Sequence, residues 1–193
     1  VIQEHSKRGQ NLSKLYPEGG KNSLADQLKT IARLISSGLN TRVYVVNQSG
    51  YDTHSDQVDR SDTTQGIHAN LLKNLSEAIF AFQDDMQLMG KQDQVIGMTF
   101  SEFGRRITSS ASYGTDHGTA ETVLLFGTKV KNGIIGSSPT LPDNPTSEDN
   151  LEMQFDFRAL YASVLSGWFD VNDENLKNII KQGPKERLEL FRN

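Results

Sequence analysis

The sequence predicts an α/β fold with a mostly parallel sheet and helices on both faces. Three apolar runs at residues 42–47, 94–100 and 122–127 have the composition and length of buried strands. Between the first two runs, apolar residues recur at helical spacing over about residues 61–89. A strand, a long helix and a second strand form a right-handed parallel crossover. We therefore expect the three runs to lie in one sheet.

The helices are predicted from apolar spacing and from the residues at their ends. A helix over residues 23–37 begins at a capping-box pattern, Ser23 to Asp26, and stops at Gly38. Gly90 closes the long helix. Two further helices end the chain, the second running from a cap at Asn172 to a point before Gly183-Pro184. These elements place an α/β domain over residues 23–193, preceded by a polar arm or loop over residues 1–22.

Composition narrows the class of protein. A net charge of -4 and a pI near 5.6 argue against a nucleic-acid partner, since such proteins are usually basic. No apolar run is long enough to span a membrane. The absence of cysteine excludes disulfides and thiolate metal sites. The first residues do not have the pattern of a signal peptide, and we expect the chain to be a piece of a longer protein.

Asp52 and His54 follow the first apolar run and are the strongest candidates for a metal site. In extended chain, residues i and i+2 point to the same side, so both side chains can reach one metal while Thr53 faces away. Carboxylate oxygen and imidazole nitrogen are ordinary zinc ligands and also suit manganese or iron. An Asx-type turn with a surface histidine explains the same pattern equally well.

Asp116 and His117 lie between glycines in the loop that leads to the third run. In such a turn both side chains can converge on one ion, or the carboxylate can orient the imidazole as a ligand. Taken alone, a loop with a capping aspartate is the simpler interpretation.

Glu102, Arg105 and Arg106 follow the second apolar run. The carboxylate of Glu102 is a candidate metal ligand or general acid/base, and Arg105 is a candidate clamp for phosphate or sulfate. A structural ion pair at the end of a strand is the alternative.

Taken together, the motifs resemble one family. Gly-Tyr-Asp-Thr-His at 50–54, Thr-Phe-Ser-Glu-Phe-Gly-Arg-Arg at 99–106 and Gly-Thr-Asp-His-Gly-Thr-Ala at 114–120 are similar to the DUF1501 family of bacterial proteins. That family is assigned to the alkaline phosphatase/sulfatase superfamily. The resemblance extends from about Ser23 to Trp168, and it implies an alkaline phosphatase-like fold of which this chain is the C-terminal portion.

The resemblance also implies a two-metal hydrolase. Asp52 and His54 resemble one Asp/His pair of ligands, and His117 resembles a later histidine ligand of the same metal. By order along the chain, residues 101–104 occupy the place of an Asp-His-Gly motif, so that Phe103 stands where a ligand is expected and Glu102 supplies the carboxylate. If the motif is matched by residue identity, Asp116-His117-Gly118 would be that motif instead. We prefer chain order, and expect the nucleophile upstream of Val1.

These implications define the functional hypotheses. The first is a metal-dependent hydrolase of phosphate or sulfate esters, exported or periplasmic, in which Asp52, His54, His117 and Asp116 form a metal site. Zinc is the expected metal, with manganese, iron or calcium as alternatives. Glu102 and Arg105 would assist catalysis on a small anionic ester, and the isolated chain would be nearly inactive. The second hypothesis is a non-catalytic exported binding protein, and a stand-alone phosphate- or sulfate-binding module is a weaker third.

Overall fold

The computed structural model describes residues 1–181 and 186–192. In this part of the chain five α-helices are present: α1 Ile2–Arg8, α2 Ser23–Ser36, α3 Ile67–Leu88, α4 Phe157–Phe169 and α5 Asp173–Ile179. Four short strands accompany them: β1 Gly97–Met98, β2 Gly104–Ser109, β3 Thr115–Gly118 and β4 Leu125–Phe126. None of the described helices is long and apolar enough to cross a membrane.

The described residues divide into two compact units. Residues 1–95 and 109–116 form the first, which contains α1, α2 and α3. Residues 96–108 and 117–193 supply the second, which contains β1, β4, α4 and α5.

Helices α2 and α3 pack together and make the core of the first unit. The predicted helix over residues 23–37 is confirmed as Ser23–Ser36, but its cap is Asn22, whose side chain accepts a hydrogen bond from the backbone of Ala25. The Asn22 amide also donates to the carbonyl of Asn74 in α3. The apolar residues of this core are Leu24, Ala25, Leu28, Ala32, Leu34, Ala78, Ala81, Phe82 and Met86.

The long helix α3 begins later than its sequence pattern predicts. It was expected from about Ser61, whereas it starts at Ile67, directly after Gly66 with a φ of 118°. Asp59 accepts hydrogen bonds from the backbone of Ser61 and Asp62, and Asp62 accepts from Thr64. Such local side-chain bonds compete with helical hydrogen bonding, so residues 59–65 form turns. Hydrogen bonds from the hydroxyl groups of Ser61 and Thr64, together with these backbone bonds, hold the pKa values of the Asp59 and Asp62 carboxyl groups below their ordinary value.

The polar arm over residues 1–22 contains α1 and is attached to the helices through a buried carboxylate. Asp85 of α3 is fully buried, and it accepts hydrogen bonds from the amide of Asn11 and from the backbone N–H groups of Leu12 and Ser13. Burial also raises the pKa of the Tyr16 hydroxyl in the same segment. The arm is therefore held by specific polar contacts, although its sequence lacks an apolar stripe.

Helix α4 and the C-terminal segment organise the second unit. The backbone of Val130 pairs with that of Phe191, and Phe191 packs against Trp168 with ring centroids 6.1 Å apart. The hydroxyl of Ser163, buried in α4, accepts a hydrogen bond from the backbone of Leu188. Helix α5 begins at the predicted Asn172 cap and ends at Ile179; Gly183 and Pro184, its expected boundary, lie outside the described residues.

The prediction of an alkaline phosphatase-like α/β fold with a mostly parallel sheet is wrong. The strands of the described residues form two sheets of two short strands each, β1 with β4 and β2 with β3. The pairing of β1 with β4 is antiparallel, with Gly97 opposite Phe126 and Met98 opposite Leu125. The run at 42–47 forms no strand, and the runs at 94–100 and 122–127 each contribute only two strand residues.

The spacing of the elements explains this error. A parallel connection needs a crossover, usually a helix, whereas β2 and β3 occupy the chain between β1 and β4 and allow it to return antiparallel. In the run at 42–47 the side chains of Val43 and Val45 are 65% and 74% exposed. A β-favouring composition reflects packing against neighbouring strands, and without such neighbours it does not produce a strand.

The first prediction concerns the N-terminal end of α4. Asp156 caps this helix, and hydrogen bonds from Arg158 hold its pKa at about 2. Because the pKa is lowered on folding, the stabilisation is present above the unfolded value of about 3.9 and is lost as the pH falls towards 2. We expect Asp156→Asn, which keeps a cap acceptor, to flatten the loss of unfolding free energy between about pH 5 and pH 2, measured by urea denaturation. An unchanged slope would contradict this.

Candidate metal centre

His54 lies between two carboxylates of the first unit. Its Nε2 atom is 3.1 Å from Oδ1 of Asp52, and its Nδ1 atom is 3.0 Å from Oδ1 of Asp116. The three side chains are 52–62% exposed. Both ring nitrogens thus face an acid, one from the same loop and one from β3.

The loop at 51–57 is fixed by hydrogen bonds to Thr115, the first residue of β3. The backbone N–H of Thr115 donates to the carbonyl of Thr53, and the hydroxyl groups of Thr53 and Thr115 both donate to the side-chain oxygen of Gln57. Thr53 is buried, whereas Asp52 and His54 are exposed. The Gln57 amide therefore joins the two segments that carry Asp52, His54 and Asp116.

Gly114 permits the close approach of these two segments. A Cβ atom at this position would lie 2.2 Å from the carbonyl carbon of His54, well inside van der Waals contact. Nearby, the hydroxyl of Ser112 donates to the carbonyl oxygen of His54. The absence of a side chain at Gly114 thus allows Asp116 to reach the imidazole.

His117 follows Asp116 directly in β3. One ligand atom from each of Asp52, His54 and His117 lies within 4.8 Å of the others, which makes these residues a candidate Asp/His/His metal-binding triad. Two ligands at ~2.0–2.2 Å from one tetrahedral zinc ion are themselves roughly 3.4 Å apart. The separation of 3.1 Å between Asp52 and His54 is close to that value.

The donor set fits a divalent metal. A neutral imidazole has one N–H, so His54 can donate to Asp52 or to Asp116 but not to both. If Asp116 accepts the Nδ1 proton, the lone pair of Nε2 faces the carboxylate of Asp52. Two acceptors at this distance repel each other unless a proton or a cation lies between them, and a metal held by Nε2 and Asp52 satisfies both.

The ring of His117 is stacked within the second unit. Phe103 lies parallel to it, with centroids 3.8 Å apart and an interplanar angle of 6°. The guanidinium of Arg105 lies over the Phe103 ring, 5.0 Å from its centroid. Arg106 donates from Nε to the carbonyl oxygen of His117 and pairs with Glu148. Phe103 cannot bind a metal, but it restricts the rotation of a histidine that can.

The second prediction tests this stack. The ring current of Phe103 should shift the ring-proton NMR resonances of His117 upfield in the chain without added metal. Phe103→Leu should move these resonances downfield, and Phe103→Tyr should retain their position. Equal spectra for the leucine variant and the unmodified chain would show that the rings are not stacked in solution.

Glu102 and Arg105 are not members of the triad found among the described residues. Glu102 is exposed after β1. Burial, with the charge of Glu102 contributing, raises the pKa of Glu121, whose carboxylate accepts a hydrogen bond from the backbone of Ser101. The ion pair predicted as an alternative at this position involves Arg106 with Glu148 rather than with Glu102. The catalytic roles assigned to Glu102 and Arg105 stay predictions.

Gln57 and Ser112 were missed by the sequence analysis. Each is a common polar residue without a distinctive motif, and each acts on a segment more than fifty positions away in the sequence. No signal in the sequence identifies such partners.

Comparison with known proteins agrees with the motifs. The model of the family described as "Protein of unknown function (DUF1501)" matches residues 6–180, and the chain therefore belongs to this family. The comparisons with curated proteins and with solved structures found no match.

Proposed function

We propose that this chain provides the metal site of a metal-dependent hydrolase of phosphate or sulfate esters. The observation that carries the proposal is the grouping of ligand atoms from Asp52, His54 and His117 within 4.8 Å. Zinc suits this mixture of one carboxylate and two imidazoles, with manganese, iron and calcium as alternatives. The proposal does not require the alkaline phosphatase-like fold.

Each residue has a defined part in this proposal. Asp52, His54 and His117 would hold the metal, and Asp116 would accept the Nδ1 proton of His54, which would select the tautomer whose Nε2 is free to bind the metal. When bound, a divalent metal supplies Lewis acidity towards a phosphoryl or sulfuryl oxygen. Arg105 would bind the anionic group of the substrate, and Glu102 would serve as a further ligand or as an acid/base.

The nucleophile is not among the residues assigned here. We therefore propose that the 193-residue chain by itself binds metal but hydrolyses esters weakly or not at all, and that the active form, in which a nucleophile completes the site, is exported. The direct test is elemental analysis of the protein purified without chelator, combined with zinc titration of the 193-residue chain. Stoichiometric metal in both supports the proposal, and metal in neither refutes it.

A matched pair of substitutions separates the two motif assignments. If the motif is assigned by its order along the chain, Glu102→Gln should reduce metal content or hydrolysis more than Asp116→Asn. The contact of Asp116 with His54 favours the opposite order, because loss of a carboxylate that orients a ligating histidine typically costs about 10–100-fold in metal affinity. Metal titration of both variants decides which carboxylate serves the site.

The second candidate function is a non-catalytic exported binding protein. The exposure of Asp52, His54 and Asp116, 52–62%, favours it, because hydrolases generally exclude water from the reacting groups. Assays of the protein with aryl phosphate and aryl sulfate esters distinguish the two functions. Metal-dependent turnover supports the hydrolase, whereas stoichiometric metal without turnover on either ester supports the binding protein.

A further inference from the structure

A second polar site lies in the first unit, between the N-terminal arm and helix α2. It is an open surface cavity with a volume of about 640 Å³. Its lining contains three cationic side chains, Lys7, Lys29 and Arg33, and no carboxylate. The chain as a whole carries a net charge of -4, so this concentration of positive charge is opposite in sign to the average.

The three cations are not neutralised by the rest of the described chain. Neither Lys7 nor Lys29 nor Arg33 forms an ion pair with any described carboxylate. Lys29 and Arg33 are four residues apart on α2, where like charges destabilise a helix. Lys7 and Arg33 lie in the last turns of α1 and α2, and the helix dipoles there offset part of their repulsion. Lys29, in mid-helix, has no such offset.

Polar contacts connect the residues on one wall of this cavity. Asn11 accepts a hydrogen bond from Nε of Arg33, and its amide nitrogen donates to the carbonyl of Lys29 and to the buried carboxylate of Asp85. Asp85 also binds the backbone of Leu12 and Ser13. Arg33 is thus anchored through Nε, and its two terminal nitrogens form no hydrogen bond with the described residues. A guanidinium held in this way presents its fork of donors to a planar or tetrahedral oxyanion.

We propose that this cavity binds a small phosphate- or sulfate-bearing ligand, with Arg33 and Lys29 as its main contacts and Lys7 contributing charge. An oxyanion would accept charge-assisted hydrogen bonds from donors that are already oriented, and it would remove the repulsion between the two cations of α2. The site is distinct from the metal centre and shares no residue with it.

The experiment is an NMR titration of the metal-free 193-residue chain with inorganic phosphate, inorganic sulfate and a hexose phosphate, at constant ionic strength maintained with chloride. We expect saturable shifts of the backbone amides of Gln10, Asn11 and Ser13 with at least one of these anions. Tighter binding of the hexose phosphate would identify an ester, rather than the free ion, as the ligand.

Matched variants locate the binding. Arg33→Gln and Lys29→Gln should each weaken the affinity at least about tenfold, whereas Lys21→Gln, an exposed lysine of the same unit outside the cavity, should leave it unchanged. Lys29→Gln keeps the Asn11 contact of Arg33 intact, so it remains informative if Arg33→Gln perturbs the arm. The absence of saturable shifts, or equal weakening by Lys21→Gln, would overturn the proposal.

Discussion

His54→Ala should weaken zinc binding by the 193-residue chain at least about 100-fold, or about 2.7 kcal/mol. His54 is the residue that both Asp52 and Asp116 contact, so its removal takes away one ligand and leaves two acids without their common partner. Its side chain is 52% exposed, and the fold should tolerate the substitution. Competition with a chromophoric chelator measures the affinity, and circular dichroism verifies the fold.

A second histidine of the first unit provides the control. His5 contacts the hydroxyl of Ser37 and lies outside the triad, so His5→Ala should leave the zinc affinity unchanged. If His54→Ala binds zinc as tightly as the unmodified chain, or if both substitutions weaken binding equally, the metal centre assigned here is wrong. Asp52→Asn should resemble His54→Ala in direction, because its carboxylate is the other ligand from the same loop.

Asp85→Ala should lower the free energy of unfolding by about 2–4 kcal/mol. The carboxylate is fully buried and accepts three hydrogen bonds, from the side chain of Asn11 and from the backbone of Leu12 and Ser13. Removing it leaves these donors without an acceptor and detaches the arm from α3. Urea denaturation followed by circular dichroism measures the loss.

The neighbouring aspartate is the control for this substitution. Asp84 lies beside Asp85 in α3 and is half-buried, without a hydrogen bond among the described residues, so Asp84→Ala should change the stability by less than about 0.5 kcal/mol. Asp85→Asn should cost less than Asp85→Ala, because the amide oxygen can still accept from the backbone. Equal effects of Asp84→Ala and Asp85→Ala would show that the arm is not held through this carboxylate.

The helices could be predicted from the sequence because their signals are local. The apolar spacing from Leu24 to Ile35 and the Asn172 cap act within a few residues, and the structure places α2 and α5 where they indicate. At residues 59–65 the helical pattern continues, but the side chains of Asp59 and Asp62 form turns with the backbone of the residues that follow them. The sequence alone does not show whether these side-chain bonds or helical hydrogen bonds will form.

The sheet could not be predicted in the same way, since a strand depends on its partner. Val43 and Val45 have the composition of a buried strand, yet they are exposed, and β1 and β4 pair antiparallel over two residues each. Strand pairing requires distant segments to meet, and apolar composition does not state which segments do so.

The sequence by itself determined which residue types carry the site, and two of its motifs placed Asp52, His54, Asp116 and His117 among the candidates. Only the tertiary structure decided that Asp116 reaches His54 and that Phe103 stacks on His117. The same holds for the buried Asp85, whose acceptor role depends on an arm more than seventy residues away in the sequence. The chemistry of a side chain belongs to its residue, whereas its partners are set by the path of the whole backbone.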